Sequence, residues 1–129
     1  MNVLFVCVGN SGRSVMAERI FRSLAGAKHE AASAGSEPGT GPHPAVVEAL
    51  REIGIDASDH VPQRLRPELL DWADLAVSMC SEEVCPVTPG VRRIRWTFRD
   101  PAGLPLGEVR PIRDDIAARV RALVSELDR

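Results

Sequence analysis

The sequence contains no tyrosine, and its aromatic residues are 2 tryptophans and 3 phenylalanines in 129 residues. No ligand can therefore be gripped by phenol rings. No apolar run approaches membrane-spanning length and no basic-then-apolar leader precedes a cleavage site, so no membrane partner is expected and the expected location is cytoplasmic. Charge is nearly balanced, 16 basic against 18 acidic residues for a net charge of -2. That removes the electrostatic footprint of a nucleic-acid binder. The 3 cysteines are an odd number, which in a reducing compartment argues against a structural disulfide framework. The 3 histidines, His29, His43 and His60, include no pair at metal-ligand spacing, and a zinc site needs four ligands, usually in two close pairs. Each reads as a surface or helix-end residue, and His60 has the best claim to more because the loop at Asp59 and His60 could reach a functional rim. Repeats, low-complexity tracts and linkers are missing too. With 44% hydrophobic residues, one packed domain over residues 1–129 is expected.

Periodicity orders the chain into alternating strands and helices. Residues 2–6 do not alternate and predict a strand buried on both faces. Ala17, Ile20, Phe21 and Leu24 recur at helical spacing over residues 13–24, with Gly26 as a stop. Residues 30–34 form a strand candidate closed by Gly35. The Gly- and Pro-rich residues 36–44 read as a loop. A second helix is predicted over residues 44–53, with Val46, Leu50 and Ile53 on one face, and further helical turns over residues 67–72. Residues 74–79 predict another strand, and residues 93–96 an edge strand with one wet face. Val109, Ile112, Ile116, Val120, Leu123 and Leu127 mark a long closing helix. This alternation implies an α/β domain of three layers, a four-stranded parallel sheet flanked by helices on both faces. In such sheets ligands bind beyond the carboxyl ends of the strands.

Two such strand ends carry thiols. The first opens Cys7-Val8-Gly9-Asn10-Ser11-Gly12-Arg13-Ser14. A loop of this kind between strand and helix can wrap a tetrahedral oxyanion, its N–H groups and the helix N-terminus pointing inward. Arg13 can hold two oxygens through its planar fork. The same positive environment favours Cys7 as a resident thiolate nucleophile. Gly9 and Gly12 permit close backbone approach. Ser14 could donate to the thiolate, and Asn10 could tie the loop's own backbone together. Residues 8–14, that is Val8, Gly9, Asn10, Ser11, Gly12, Arg13 and Ser14, are the expected oxyanion cradle.

The second thiol-bearing end is Cys80, followed by Cys85-Pro86. Two close cysteines are half of a zinc site or a redox pair; with no paired partners for zinc, thiolate exchange is the stronger reading. A third constellation, Trp96-Thr97-Phe98-Arg99-Asp100-Pro101-Ala102-Gly103, puts Asp100 in a loop after the last strand. Asp-Pro is a common turn opener. Beside oxyanion chemistry it could also protonate a leaving oxygen.

Taken together, these segments resemble the thioredoxin-coupled arsenate reductases, which share the fold of the low-molecular-weight protein tyrosine phosphatases. The resemblance covers nearly the whole chain: Phe5 to Ser14 with Met16-Ala17-Glu18, Ser33-Ala34-Gly35, Cys80, Cys85-Pro86, residues 96–103, and Arg110 to Ile116. It implies reduction of arsenate to arsenite, with Cys7 as nucleophile, Arg13 and Ser14 supporting it, Asp100 as general acid, and Cys80 and Cys85 relaying a disulfide to thioredoxin or a similar dithiol carrier. Phosphate and sulfate would compete as oxyanions. No tightly bound organic cofactor and no structural metal is implied, and the protein is expected to act as a monomer. Some members bind a monovalent cation; Asn10, Glu18 and Ser33 match that site, with Val61 and Gln63 where further oxygen ligands are expected, and cation binding stays open. The redox cysteines of the family are usually spaced wider than Cys80 and Cys85. The phosphatase branch shares the first motif but typically follows its aspartate with Pro-Tyr, where this chain has Pro101-Ala102. Phosphomonoester hydrolysis through a phosphocysteine is the alternative activity, and a non-enzymatic redox or oxyanion sensor the alternative class.

Overall fold

The computed structural model describes residues 1–79 and 92–129. Eight elements follow in order: β1 (Asn2–Cys7), α1 (Arg13–Ala25), β2 (Glu30–Gly35), α2 (Pro44–Arg51), α3 (Pro67–Trp72), β3 (Leu75–Ser78), β4 (Arg92–Arg95) and α4 (Leu106–Leu127). The strands form one sheet in the order β2-β1-β3-β4, with every pairing parallel. The expected four-stranded parallel sheet is thus present, with β4 on an edge.

β1 lies at the heart of the sheet. Val3, Phe5 and Cys7 join the core beneath α1, α2 and α4, whereas Leu4 and Val6 face the opposite side with Leu70 and Ala73 of the α3 region. Both faces of β1 are covered, so its sequence cannot alternate. Phe5 is fully buried, edge-on to Phe21 of α1 at 5.7 Å.

Helix ends follow local chemistry. Gly26 stops α1 at φ 59, where a side chain would be strained. Proline opens both α2 and α3, where its missing N–H costs nothing. Two predicted core positions are not core. Leu24 is 45% exposed and Ile53 is 43% exposed. α2 ends at Arg51, and the N–H of Ile53 bonds to Leu50 O at 3.0 Å. Ile53 therefore sits in the turn after the helix and leaves the helical stripe. Leu24 occupies the last turn of α1 and lines a shallow groove with Ile53 and with Ala117 and Arg121 of α4. No helix among the described residues is long and apolar enough to cross a membrane.

Candidate active site

Cys7 ends β1 and Arg13 opens α1, so residues 8–12 bridge a strand end and a helix start. Every carbonyl from Cys7 to Gly12 is drawn outward. Cys7 O accepts from Ser36 N at 3.2 Å, Val8 O from Glu37 N at 2.9 Å, Gly9 O from Gly39 N at 2.9 Å, and Ser11 O from His43 N at 3.0 Å. Asn10 O accepts from His60 Nε2 at 2.8 Å, and Gly12 O from Met16 N at 3.0 Å. The N–H groups of the loop take no part in these bonds. With its carbonyls turned away, the loop presents donors to its concave side, the arrangement of an anion nest.

That concave side is a cavity of about 220 Å³ lined by Cys7, Val8, Gly9, Ser11, Gly12, Arg13, Gly39, His43, Asp100 and Ala102. The nucleophile, arginine and aspartate predicted from separate stretches of sequence thus share one cavity. Cys7 is buried and Sγ lies 2.9 Å from Ser14 Oγ. Asn10 Oδ1 accepts from Gln63 N at 3.0 Å, which orients its amide so that Nδ2 donates to Ser14 Oγ at 2.8 Å. Ser14 is then supplied with a donor and its own proton is free to point at sulfur. Asn10 adopts a positive φ of 49, which asparagine tolerates better than most residues. The side chains of Asn10 and Ser14 are fully buried and do not line the cavity. Of the predicted cradle, these two support the loop from behind.

Arg13 Nη1 donates to Phe98 O at 3.5 Å and Nη2 lies 3.8 Å from Asp100 Oδ2; the side chains are 14% and 59% exposed. Asp100 Oδ1 also accepts from Ala102 N at 3.0 Å. The turn geometry expected of Asp-Pro is therefore real, and it leaves the second carboxylate oxygen on the cavity side. Gly35 backs the loop: a Cβ there would stand 2.4 Å from Val8 O and 3.0 Å from Asn10 N.

The oxygens matched to a monovalent cation site are already engaged. Glu18 Oε1 accepts from Ser33 Oγ, and Glu18 Oε2 lies 3.1 Å from Arg22 Nε. Asn10 Oδ1 is taken by Gln63 N, Gln63 Nε2 donates to Ser33 O, and Val61 is 78% exposed. Protein donors, one of them the Arg22 guanidinium, already reach these oxygens.

Cys80 and Cys85 lie outside the described residues. His60 is buried against the loop and does not line the cavity. Three lining residues were not among the expected site residues: Gly39, His43, weighed only as a metal ligand, and Ala102, noted only as standing where the phosphatases carry tyrosine. The signal for the first two was present, because the loop after β2 leaves the sheet at the same carboxyl rim as Cys7.

A cysteine-bearing loop with its carbonyls turned outward, at the rim of a parallel sheet, defines the class. The model of the low molecular weight phosphotyrosine protein phosphatase family matches residues 2–129, and the chain belongs to that family. An arsenate reductase of Brevibacillus brevis is 42% identical over 122 residues, 92% of this chain and 90% of that protein. A thioredoxin-dependent arsenate reductase of Corynebacterium glutamicum superposes with TM-score 0.84 at 34% identity, covering 98% of this chain and 61% of that one. A low molecular weight protein tyrosine phosphatase of T. tengcongensis superposes with TM-score 0.86 at 32% identity, covering 98% and 99%.

Proposed function

We propose that this protein is an arsenate reductase, an oxidoreductase converting arsenate to arsenite with reducing equivalents from thioredoxin. The observation that carries the reading is the cavity in which Cys7, Arg13 and Asp100 meet over a loop whose carbonyls all point away. Arsenate enters as the tetrahedral anion, held by loop N–H groups and the Arg13 fork. Cys7 thiolate attacks arsenic, and Asp100 gives a proton to the oxygen that leaves as water. Cys80 thiolate then attacks Cys7 Sγ. The sulfur–arsenic bond breaks with its electron pair left on arsenic, arsenite departs, and a Cys7–Cys80 disulfide remains. Cys85 attacks Cys80, frees Cys7 and leaves a Cys80–Cys85 disulfide for thioredoxin to reduce. Arsenic resistance in the cytoplasm is the physiological setting that fits this chemistry.

The sequence of the acid loop favours reduction over ester hydrolysis. Ala102 lines the cavity where the phosphatase branch places a tyrosine, and no tyrosine exists elsewhere in the chain. The test is arsenite formation by the purified protein with and without thioredoxin, thioredoxin reductase and NADPH. Arsenite formed only with the complete system is the expected result. Aryl phosphate turnover that is independent of Cys80 and Cys85, with no arsenite formed, would instead make the chain a phosphatase.

A further inference from the structure

We propose that His43 is a specificity-determining residue of this cavity, its imidazolium supplying a second positive charge that favours tetrahedral dianions. The inference rests on reading the cavity as an oxyanion site. His43 lines it, and its place is fixed on several sides. Its N–H bonds to Ser11 O at 3.0 Å, tying its backbone to the oxyanion loop. Pro42 and Pro44 flank it and restrict its backbone. Its Cδ2 lies 3.3 Å from the point where a Cβ on Gly12 would stand, and Pro101 Cγ lies 2.7 Å from that same point. The imidazole is therefore held between the start of α1 and the loop that carries Asp100.

The charges around it give this position its consequence. The other titratable or charged side chains lining the cavity are Cys7, Arg13 and Asp100. Arg13 and Asp100 are 3.8 Å apart and opposite in sign, and a Cys7 thiolate adds a negative charge. Of the remaining charges nearby, Glu37 is exposed and Glu48 of α2 is paired with Arg51 at 2.8 Å. Without His43 the lining carries no net positive charge to meet a dianion. An imidazole carries charge only when protonated, so anion affinity through His43 is strongest where the ring is protonated and falls where it is not.

Sulfate is the probe, because it stays a dianion whether or not the ring is protonated, and a Cys7→Ser background removes the titrating thiolate. Calorimetry at constant ionic strength should show sulfate binding tighter by roughly five- to tenfold at about pH 5.5 than at about pH 8.5. Adding His43→Asn, which suits the N-cap position that His43 holds, should flatten that dependence; His43→Gln is the second variant, with thermal unfolding as the check on folding. Linkage demands the reciprocal effect: saturating sulfate should raise the NMR titration midpoint of the His43 ring by about 0.7 to 1 pH unit. An unmoved midpoint, or equal pH dependence with and without His43, overturns the inference and leaves the oxyanion site standing. Sulfate failing to bind at any pH overturns the oxyanion site itself, and this inference with it.

Discussion

Cys7 is 2% exposed, and its sulfur borders the cavity while resting on the Ser14 hydroxyl. Replacing the sulfur with oxygen preserves that packing but puts a hydroxyl, a far weaker acid and nucleophile, in place of the thiol. Cys7→Ser should lower arsenate reduction by several orders of magnitude while leaving the unfolding midpoint close to wild type; arsenite assays and thermal unfolding check the two halves. Asp100 calls for a finer separation. Its Oδ2 shares Arg13 with any bound anion, and a carboxylate beside an anionic ligand repels it. Asp100→Asn keeps the size of the side chain and the oxygen that accepts from Ala102 N. Anion binding should therefore hold or tighten, whereas single-turnover arsenite release should fall roughly a hundred- to ten-thousand-fold. Single-turnover rates within about threefold of wild type, far below the usual general-acid effect, would reduce Asp100 to a turn residue. Gly35→Ala probes the back of the loop. The new methyl would meet backbone atoms of Val8 and Asn10, which cannot swing aside as a flexible side chain can. A loss of about 1–3 kcal/mol in urea unfolding is expected, together with weaker sulfate binding.

At the scale of elements, periodicity was a good guide wherever burial is uniform. β1 reads as doubly buried because Val3 and Phe5 meet one core and Leu4 and Val6 the other. It was a poor guide at helix ends, where Leu24 and Ile53 keep the spacing in sequence but stay exposed. The site was legible in its chemistry, since Cys7, Arg13 and Asp100 do share a cavity. Its architecture was not. Nothing in residue spacing says that the 36–43 segment draws the loop carbonyls outward, because those bonds come from backbone N–H groups that every non-proline residue possesses. The α2–α4 contact is held by charge as well as by packing. The end of α2 leads to Glu52, which takes Arg110 Nη2 at 2.6 Å and Arg113 Nη1 at 2.8 Å. Hydrogen bonding from Arg110, followed by that from Arg113, outweighs desolvation and lowers the Glu52 pKa from 4.5 to about 2. A carboxylate lowered in the folded state contributes stability that is complete above its unfolded value and lost as pH falls through the folded one. The stability difference between wild type and Glu52→Gln should thus be full above about pH 4.5 and shrink towards about pH 2, as read by urea unfolding across that window.

For the whole molecule, the order β2-β1-β3-β4 places β1 and β3 side by side, with Cys7 ending one strand and Cys80 following the other by two positions in sequence. The neighbouring strands run parallel, so their carboxyl ends leave the sheet on the same rim. That placement puts the end of β3 on the side where Cys7 opens to the cavity. The relay divides into two steps that one variant can part. In Cys85→Ser, the chemistry at arsenic needs only Cys7, Arg13, Asp100 and Cys80, so one equivalent of arsenite per protein should still appear. The second exchange lacks its nucleophile, since a serine hydroxyl does not attack a disulfide under these conditions. The protein should then halt with Cys7 tied to Cys80, and peptide mass spectrometry without reductant should recover that linkage after arsenate addition. Thioredoxin should restore little turnover. One half of a Cys7–Cys80 disulfide is Cys7, a residue 2% exposed in the reduced form, and exchange requires access for the attacking thiolate. Sustained thioredoxin-dependent cycling of Cys85→Ser would show that Cys85 is not the relay and that the reductant reaches Cys7–Cys80 directly. Cycling of Cys85→Ser with a small thiol such as mycothiol but not with thioredoxin would show that only a reductant small enough to enter reaches the Cys7–Cys80 bond.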